Sequence, residues 1–278
     1  MRLLLARTIY LALLVRAFHA PAHEHINVGA QSQEAGTPLF FQNAGSYNTN
    51  SGFVFMLVRA TNGPYAGHYQ TTGLSFTSIG FGFFDPPAPG TQSRLRFVAL
   101  TGPAGGSFGV WDVPGFNEAG DLASTLTFSL PVGATNGANS ILLSENNGEA
   151  GADPFGHIHG RAYSATVPGL YVLTVQAYDA AANGGGGGPI HQPSALLPIY
   201  FHAGNSITSF AYDHASFSAT FPTALGSSSY LQVTTNLGNP AIWQDVAGPL
   251  PGNNHFQTAT VAAPDAMAGY YRLRVTTP

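Results

Sequence analysis

The 278-residue sequence contains no cysteine and no lysine. Without thiols there can be no disulfide, no thiolate metal site and no cysteine nucleophile, so the fold must be held by its core alone. Every positive charge is an arginine, and charged residues make up only 8% of the chain, against about a quarter in ordinary globular proteins. So little charge leaves almost nothing for the polar faces of amphipathic helices. No G-x-S-x-G elbow, P-loop or H-E-x-x-H occurs, so the usual hydrolase, nucleotide and zincin chemistries have no foothold. No run downstream of the N-terminus is long and apolar enough to cross a membrane as a helix.

What the sequence does have is glycine (34), proline (20) and many Ser, Thr, Tyr and Phe. This composition favours short strands joined by tight turns. Apolar and polar residues alternate in SGFVFMLVRA (51–60), SRLRFVAL (93–100), GSFGVWDV (106–113), STLTFSLPV (124–132) and GLYVLTVQAYD (169–179). Turn clusters such as TNGP, DPPAPG and TGPAGG lie between them. The spacing predicts an all-β protein, an antiparallel β-sandwich of jelly-roll or Ig-like type over 23–204. The glycine run AANGGGGGP (181–189) reads as a loop inside that sandwich, because LLPIYFHAG (196–204) beyond it reads as a closing strand. A second small β-sandwich module is expected over 205–278, with strands at 216–221, 229–237, 241–246, 256–263 and 269–275. Its seventy-odd residues suffice for a modest core.

The N-terminal MRLLLARTIYLALLVRAFHAPA carries Arg2 and Arg7, a short apolar run and Ala20-Pro21-Ala22. This is the pattern of a secretory signal peptide over 1–22, which makes the expected product periplasmic, secreted or cell-surface. Its removal takes three arginines and leaves six against thirteen Asp and Glu, a net charge near −7. Such a surface disfavours nucleic acid and anionic membranes as partners.

The residues with the most chemistry are histidines. His23/His25 and His157/His159 form two His-x-His pairs. Side chains at i and i+2 of a strand share a face, so each pair offers two imidazoles to one point. Brought together, the pairs supply four nitrogens, which suits Zn²⁺ and tolerates Cu²⁺. His202, on the expected closing strand, is a further candidate ligand. Cleavage after Ala22 would make His23 the first residue, whose α-amine and imidazole form a brace suited to square-planar copper. The remaining histidines read as bland. His68 suits a surface strand, His191 a solvated loop, and His214 and His255 the surface of the second module. Glu145, Glu149 and Asp153 precede the second pair as a solvated acidic loop without EF-hand spacing.

Gly102-Pro103, Phe108 and Trp111, followed by His157, His159, Tyr163, Pro168, Gly169 and Tyr171, make a longer pattern. Over residues 23–203 it resembles the choice-of-anchor M domain of bacterial surface-anchored and ABC-transporter-associated proteins. The chain departs from that pattern after the second histidine, where Gly160-Arg161-Ala162 replaces the family's Asn-Trp or Asn-Phe. The resemblance implies an extracytoplasmic β-domain associated with zinc or other metal transport. Three readings follow. The first is a zinc-binding protein for metal sequestration, delivery or site stabilisation, working with a metal transport system or a cell-surface component. The second is a non-catalytic surface module that binds a glycan or a protein. The third is a copper protein with an N-terminal histidine brace.

Overall fold

A computed structural model describes residues 24–78, 85–113, 124–144, 160–238, 240–263 and 269–277. The described residues are nearly all β, 54% strand and 5% helical. Among the described residues, twelve strands precede residue 204: β1 (Glu24–Ala30), β2 (Leu39–Phe41), β3 (Val54–Arg59), β4 (Tyr69–Thr71), β5 (Leu74–Ser78), β6 (Ser93–Thr101), β7 (Ser107–Asp112), β8 (Thr125–Pro131), β9 (Asn139–Leu142), β10 (Arg161–Ala165), β11 (Gly169–Asp179) and β12 (Leu197–Ala203). They form a three-stranded sheet, β2-β1-β5, and a nine-stranded sheet, β8-β7-β10-β4-β3-β12-β11-β6-β9. In β11 every second residue from Tyr171 to Asp179 is buried, the period expected of a strand with one face on a core.

The nine-stranded sheet cannot be flat. In the sheet order β6 and β7 lie six strand spacings apart, about 29 Å at ~4.8 Å per spacing. The chain from Thr101 to Ser107 reaches at most about 21 Å. The sheet therefore curls until its halves face each other, and contacts across the resulting core follow. Phe108 on β7 meets Phe201 on β12 edge-to-face at 4.8 Å, and Phe97 on β6 meets Phe128 on β8 at 5.0 Å. Beyond β8, Gly133 donates its N–H to Leu100 O and Ala134 O accepts from Leu100 N–H, which nearly closes the curl.

The turns that permit this closure meet at one tyrosine. The Tyr171 hydroxyl donates to the Val167 carbonyl at 2.8 Å, the arrangement of a tyrosine corner. The same ring lies against the β6–β7 turn. A Cβ on Gly102 would stand 2.6 Å from Tyr171 Cδ1, and one on Gly106 would stand 2.7 Å from the hydroxyl. Pro103 in turn packs on Gly169, whose φ of +131° suits only glycine.

Two strand pairings are parallel, β1 with β5 and β3 with β12, where the alternation alone predicted antiparallel neighbours. The cause is a switch of sheets. β4 pairs with β10, after which the chain passes Gly73 and continues as β5 beside β1. The glycine run joins β11 to β12, which pair directly. It is held by Asp179, whose carboxylate accepts from the backbone N–H groups of Gln92, Ala181, Ile190 and His191.

Beyond residue 204 come β13 (Ser209–Tyr212), β14 (Ser216–Pro222), β15 (Ser228–Thr234), β16 (Gln244–Pro251), β17 (Phe256–Ala262) and β18 (Tyr270–Thr276). They make two antiparallel three-stranded sheets, β13-β14-β17 and β16-β15-β18. Phe217, Ala219, Phe221, Leu231 and Ala259 form their own buried cluster, separate from the large core of residues 26–203. The expected strand at 241–246 begins only at Gln244, because Trp243 lies outside the strand with the Arg272 guanidinium 4.2 Å above its ring. The two units touch through an antiparallel bridge between Phe53 and His255, with Val54 N–H donating to Asn254 O at 2.7 Å. Beside it Tyr200 and Phe256 pack edge-to-face at 5.3 Å.

If Tyr171 ties the closing turns, Tyr171→Phe should lower the unfolding free energy by about 1 kcal/mol in urea titrations, the net value of one intramolecular hydrogen bond. Gly102→Ala, which drives a methyl into the ring, should cost about 1–3 kcal/mol. A neutral result for both would mean that closure is secured elsewhere.

Candidate metal-binding region

Of the five candidate ligands, His25 and His202 lie among the described residues; His23, His157 and His159 lie outside them, as do residues 1–22 and the acidic positions Glu145, Glu149 and Asp153. His25 is half-buried on β1, on the strand face opposite the buried Ile26 and Val28. Its carbonyl accepts from the Asn43 amide, whose own oxygen accepts from Asn27 N–H. Glu24, on the other face, accepts a hydrogen bond from the Tyr47 hydroxyl. Burial and that carboxylate push the Tyr47 phenol well above its usual range.

The segment carrying His157 and His159 leads into Gly160 and β10. Gly160 O accepts from Val113 N–H, and Arg161 clamps the start of β10 by an ion pair with Asp112 at 2.5 Å. The second guanidinium nitrogen of Arg161 reaches Leu142 O at 3.4 Å, so the two flanks of residues 145–159 are drawn toward each other. Thr127 also donates to Asp112.

The starts of β1 and β10 are linked through β4 and β5. Tyr163 of β10 stands opposite Thr71, and the chain then runs on to Leu74 and Ser75, the partners of Glu24 and His25. Inside the core Phe76, opposite Ile26, meets Tyr163 edge-to-face at 6.2 Å. The start of β1 and the start of β10 thus share one level of the fold, separated by a single stretch of chain.

His202 belongs to a different environment. It lies on β12 in the large sheet and is fully buried. Its Nδ1–H donates to Gly204 O at 2.9 Å, leaving Nε2 to accept from the Ser206 hydroxyl at 3.1 Å. Both nitrogens hold the segment that leads into the C-terminal unit. Burial pushes the imidazole below its ordinary value, and the Gly204 carbonyl opposes this only in part.

His191, expected as a solvated loop residue, is 1% exposed. The expectation fails because its partners are remote in sequence. Ala88 N–H donates to Nε2 at 2.9 Å, so Nδ1 carries the hydrogen and donates to Thr37 O at 3.0 Å. His68 lies half-buried before β4, its ring 6.2 Å from Trp111. Trp111 itself donates to Ser164 at 2.8 Å. His255 occupies the bridge between the units, edge-on to Phe53 at 5.4 Å. Among the described residues no three His, Cys, Asp or Glu side chains are grouped as a complete metal site. Nor is any described helix long and apolar enough to cross a membrane.

The lowered His202 pKa gives a pH dependence of definite sign. The unfolded imidazole takes a proton near pH 6.5, whereas the folded one does so only at lower pH. Stability is therefore complete above about 6.5 and declines as the pH falls below it toward the folded value. The thermal midpoint should drop between pH 7.5 and 5, and His202→Asn, which does not titrate, should flatten part of that drop. An unchanged slope in the variant would remove His202 from the account.

No family model matches the chain, and no curated protein matches it.

Proposed function

We propose that the chain is an exported β-protein that binds a metal ion, zinc in preference to copper, where β1 and β10 begin. His25, His157 and His159 are the ligands, with His23 as the fourth. The observation that supports this reading is the shared level of the two strand starts: β10 and β1 are both registered on the single chain Thr71–Ser75. Four imidazoles and no vacant position make a site for sequestration or delivery, whereas an open position would permit a bound water. His202 is left out of the set, since both its ring nitrogens hold the linker.

The likeness to the choice-of-anchor M domain enters the same proposal with a distinction. Gly102, Pro103, Gly169 and Tyr171 pack together to close the sheet, so they speak for the architecture. The paired histidines are the part of the likeness to which the metal proposal gives a role.

A second reading, a non-catalytic module that holds a glycan or a protein at the cell surface, draws on the outer face of the β16-β15-β18 sheet. There Arg274 covers Tyr230 at 3.8 Å and Arg272 covers Trp243, with Asp245 and Gln232 linking the two guanidiniums.

Elemental analysis of protein exported with its own leader should find about one equivalent of zinc, with His157→Ala and His25→Ala each losing most of it. Saturating zinc should raise the thermal midpoint by an amount that grows with free metal concentration. Protein that stays metal-free, with a midpoint indifferent to added zinc, would discard the metal reading in favour of the surface module. Copper taken up only when His23 is the first residue would replace zinc with the brace.

A further inference from the structure

Among the described residues, the C-terminal sandwich is open along one edge. β13 ends the β13-β14-β17 sheet, and all four of its residues are exposed. Phe210 and Tyr212 stand opposite Ala219 and Phe217, so they lie on the face that elsewhere forms the core. They are nonetheless 73% and 57% exposed. The opposing sheet covers Phe217 with Tyr271, whose ring stacks on it, and leaves most of the Phe210 and Tyr212 surface uncovered.

Apart from its length of four residues, this edge lacks the devices that keep strands from pairing with other chains. β16 carries Pro249 and Pro251 and two irregularities of register. β8 ends on Pro131 and is bulged against β7. β18 presents Arg272 and Arg274. Ser209-Phe210-Ala211-Tyr212 has no charge, no proline and no bulge.

The backbone register says which groups are unspent. Asp213 N–H donates to Ser216 O, in line with the pairing of Ala211 with Ser218 and Ser209 with Thr220. In an antiparallel ladder hydrogen-bonded residues alternate. Phe210 and Tyr212 therefore aim their N–H and C=O groups away from β14, at the free edge.

We propose that β13 is a self-association edge, and that its occupant is β13 of a second copy, antiparallel about a two-fold axis. One register uses both outward-pointing residues of each strand. It sets Phe210 against the partner's Tyr212 and Tyr212 against the partner's Phe210, with Ala211 on the axis against the partner's Ala211. Four backbone hydrogen bonds then form, and both aromatic pairs lie on the apolar face, where cross-strand contact is favourable. The charges are compatible as well. Asp213 falls opposite the partner's Ser209, no carboxylate meets another, and the Asp213 carboxylate is already met by Ala215 and Ser216. The two three-stranded sheets become one of six strands, with an isologous interface. Four residues a side make a small interface, so the association is concentration-dependent and in rapid exchange.

Sedimentation velocity of the full chain should show a twofold rise in mass with concentration. Ala211 is exposed, so Ala211→Lys and Ala211→Glu leave the fold intact by circular dichroism. Each puts like charges face to face on the axis, and each should remain monomeric at concentrations where the parent is dimeric. Mixed in equal amounts the two should recover the dimer, because an ammonium then meets a carboxylate across the axis. A parent chain that is monomeric throughout would overturn the proposal. So would a dimer indifferent to Ala211→Lys, or variants whose mixture stays monomeric.

Discussion

The closure of the nine-stranded sheet is the constraint from which the N-terminal unit follows. A five-residue turn between β6 and β7 and a three-residue turn between β10 and β11 must each join strands that are far apart in sheet order. Only a curled sheet allows both, and only small residues allow the turns to approach one tyrosine ring. Gly102, Gly106 and Gly169 are therefore steric requirements, and Tyr171 supplies the hydrogen bond that fixes their corner. Once the halves face each other, Phe108, Tyr163 and Phe201 meet across the gap, and burial of aromatic area stabilises what the turns permit.

Part of this was legible in the sequence. The alternation in 169–179 matches β11 residue for residue, and 93–100 and 124–132 match β6 and β8 to within a residue. These strands have one buried and one solvated face, so their side-chain period is visible. Three strands that the alternation does not reveal lack that contrast or the length to display it. β5 is buried on both faces, β13 is exposed on both, and β4 is three residues long. The order of strands was not readable at all, because neighbours such as β3 and β12 are joined by contacts across more than a hundred residues.

The same limit applied to the polar residues. The alternation that puts His25 and Glu24 on opposite faces of β1 is local, and it follows from the sequence. Nothing local distinguishes His191 from a loop histidine, since its partners Thr37 and Ala88 belong to remote turns. Asp179 looks in sequence like the polar end of a strand, yet it gathers four backbone N–H groups and orders the glycine run. In a chain with so few charges, the buried ones serve as joints of the scaffold. The half-buried Asp112–Arg161 pair joins β7 to the start of β10 in the same way.

The bridge between Phe53 and His255 has a mechanical meaning. A connection made only by the chain at residues 204–208 would let the units swivel, and tension applied to one would first straighten that tether. Here the Val54–Asn254 hydrogen bond and the Tyr200–Phe256 contact lie in parallel with the tether. A pull on the C-terminal unit is therefore shared at once with β3 and β12, which are neighbours in the middle of the large sheet. The load enters the protein at strands that have a neighbour on either side.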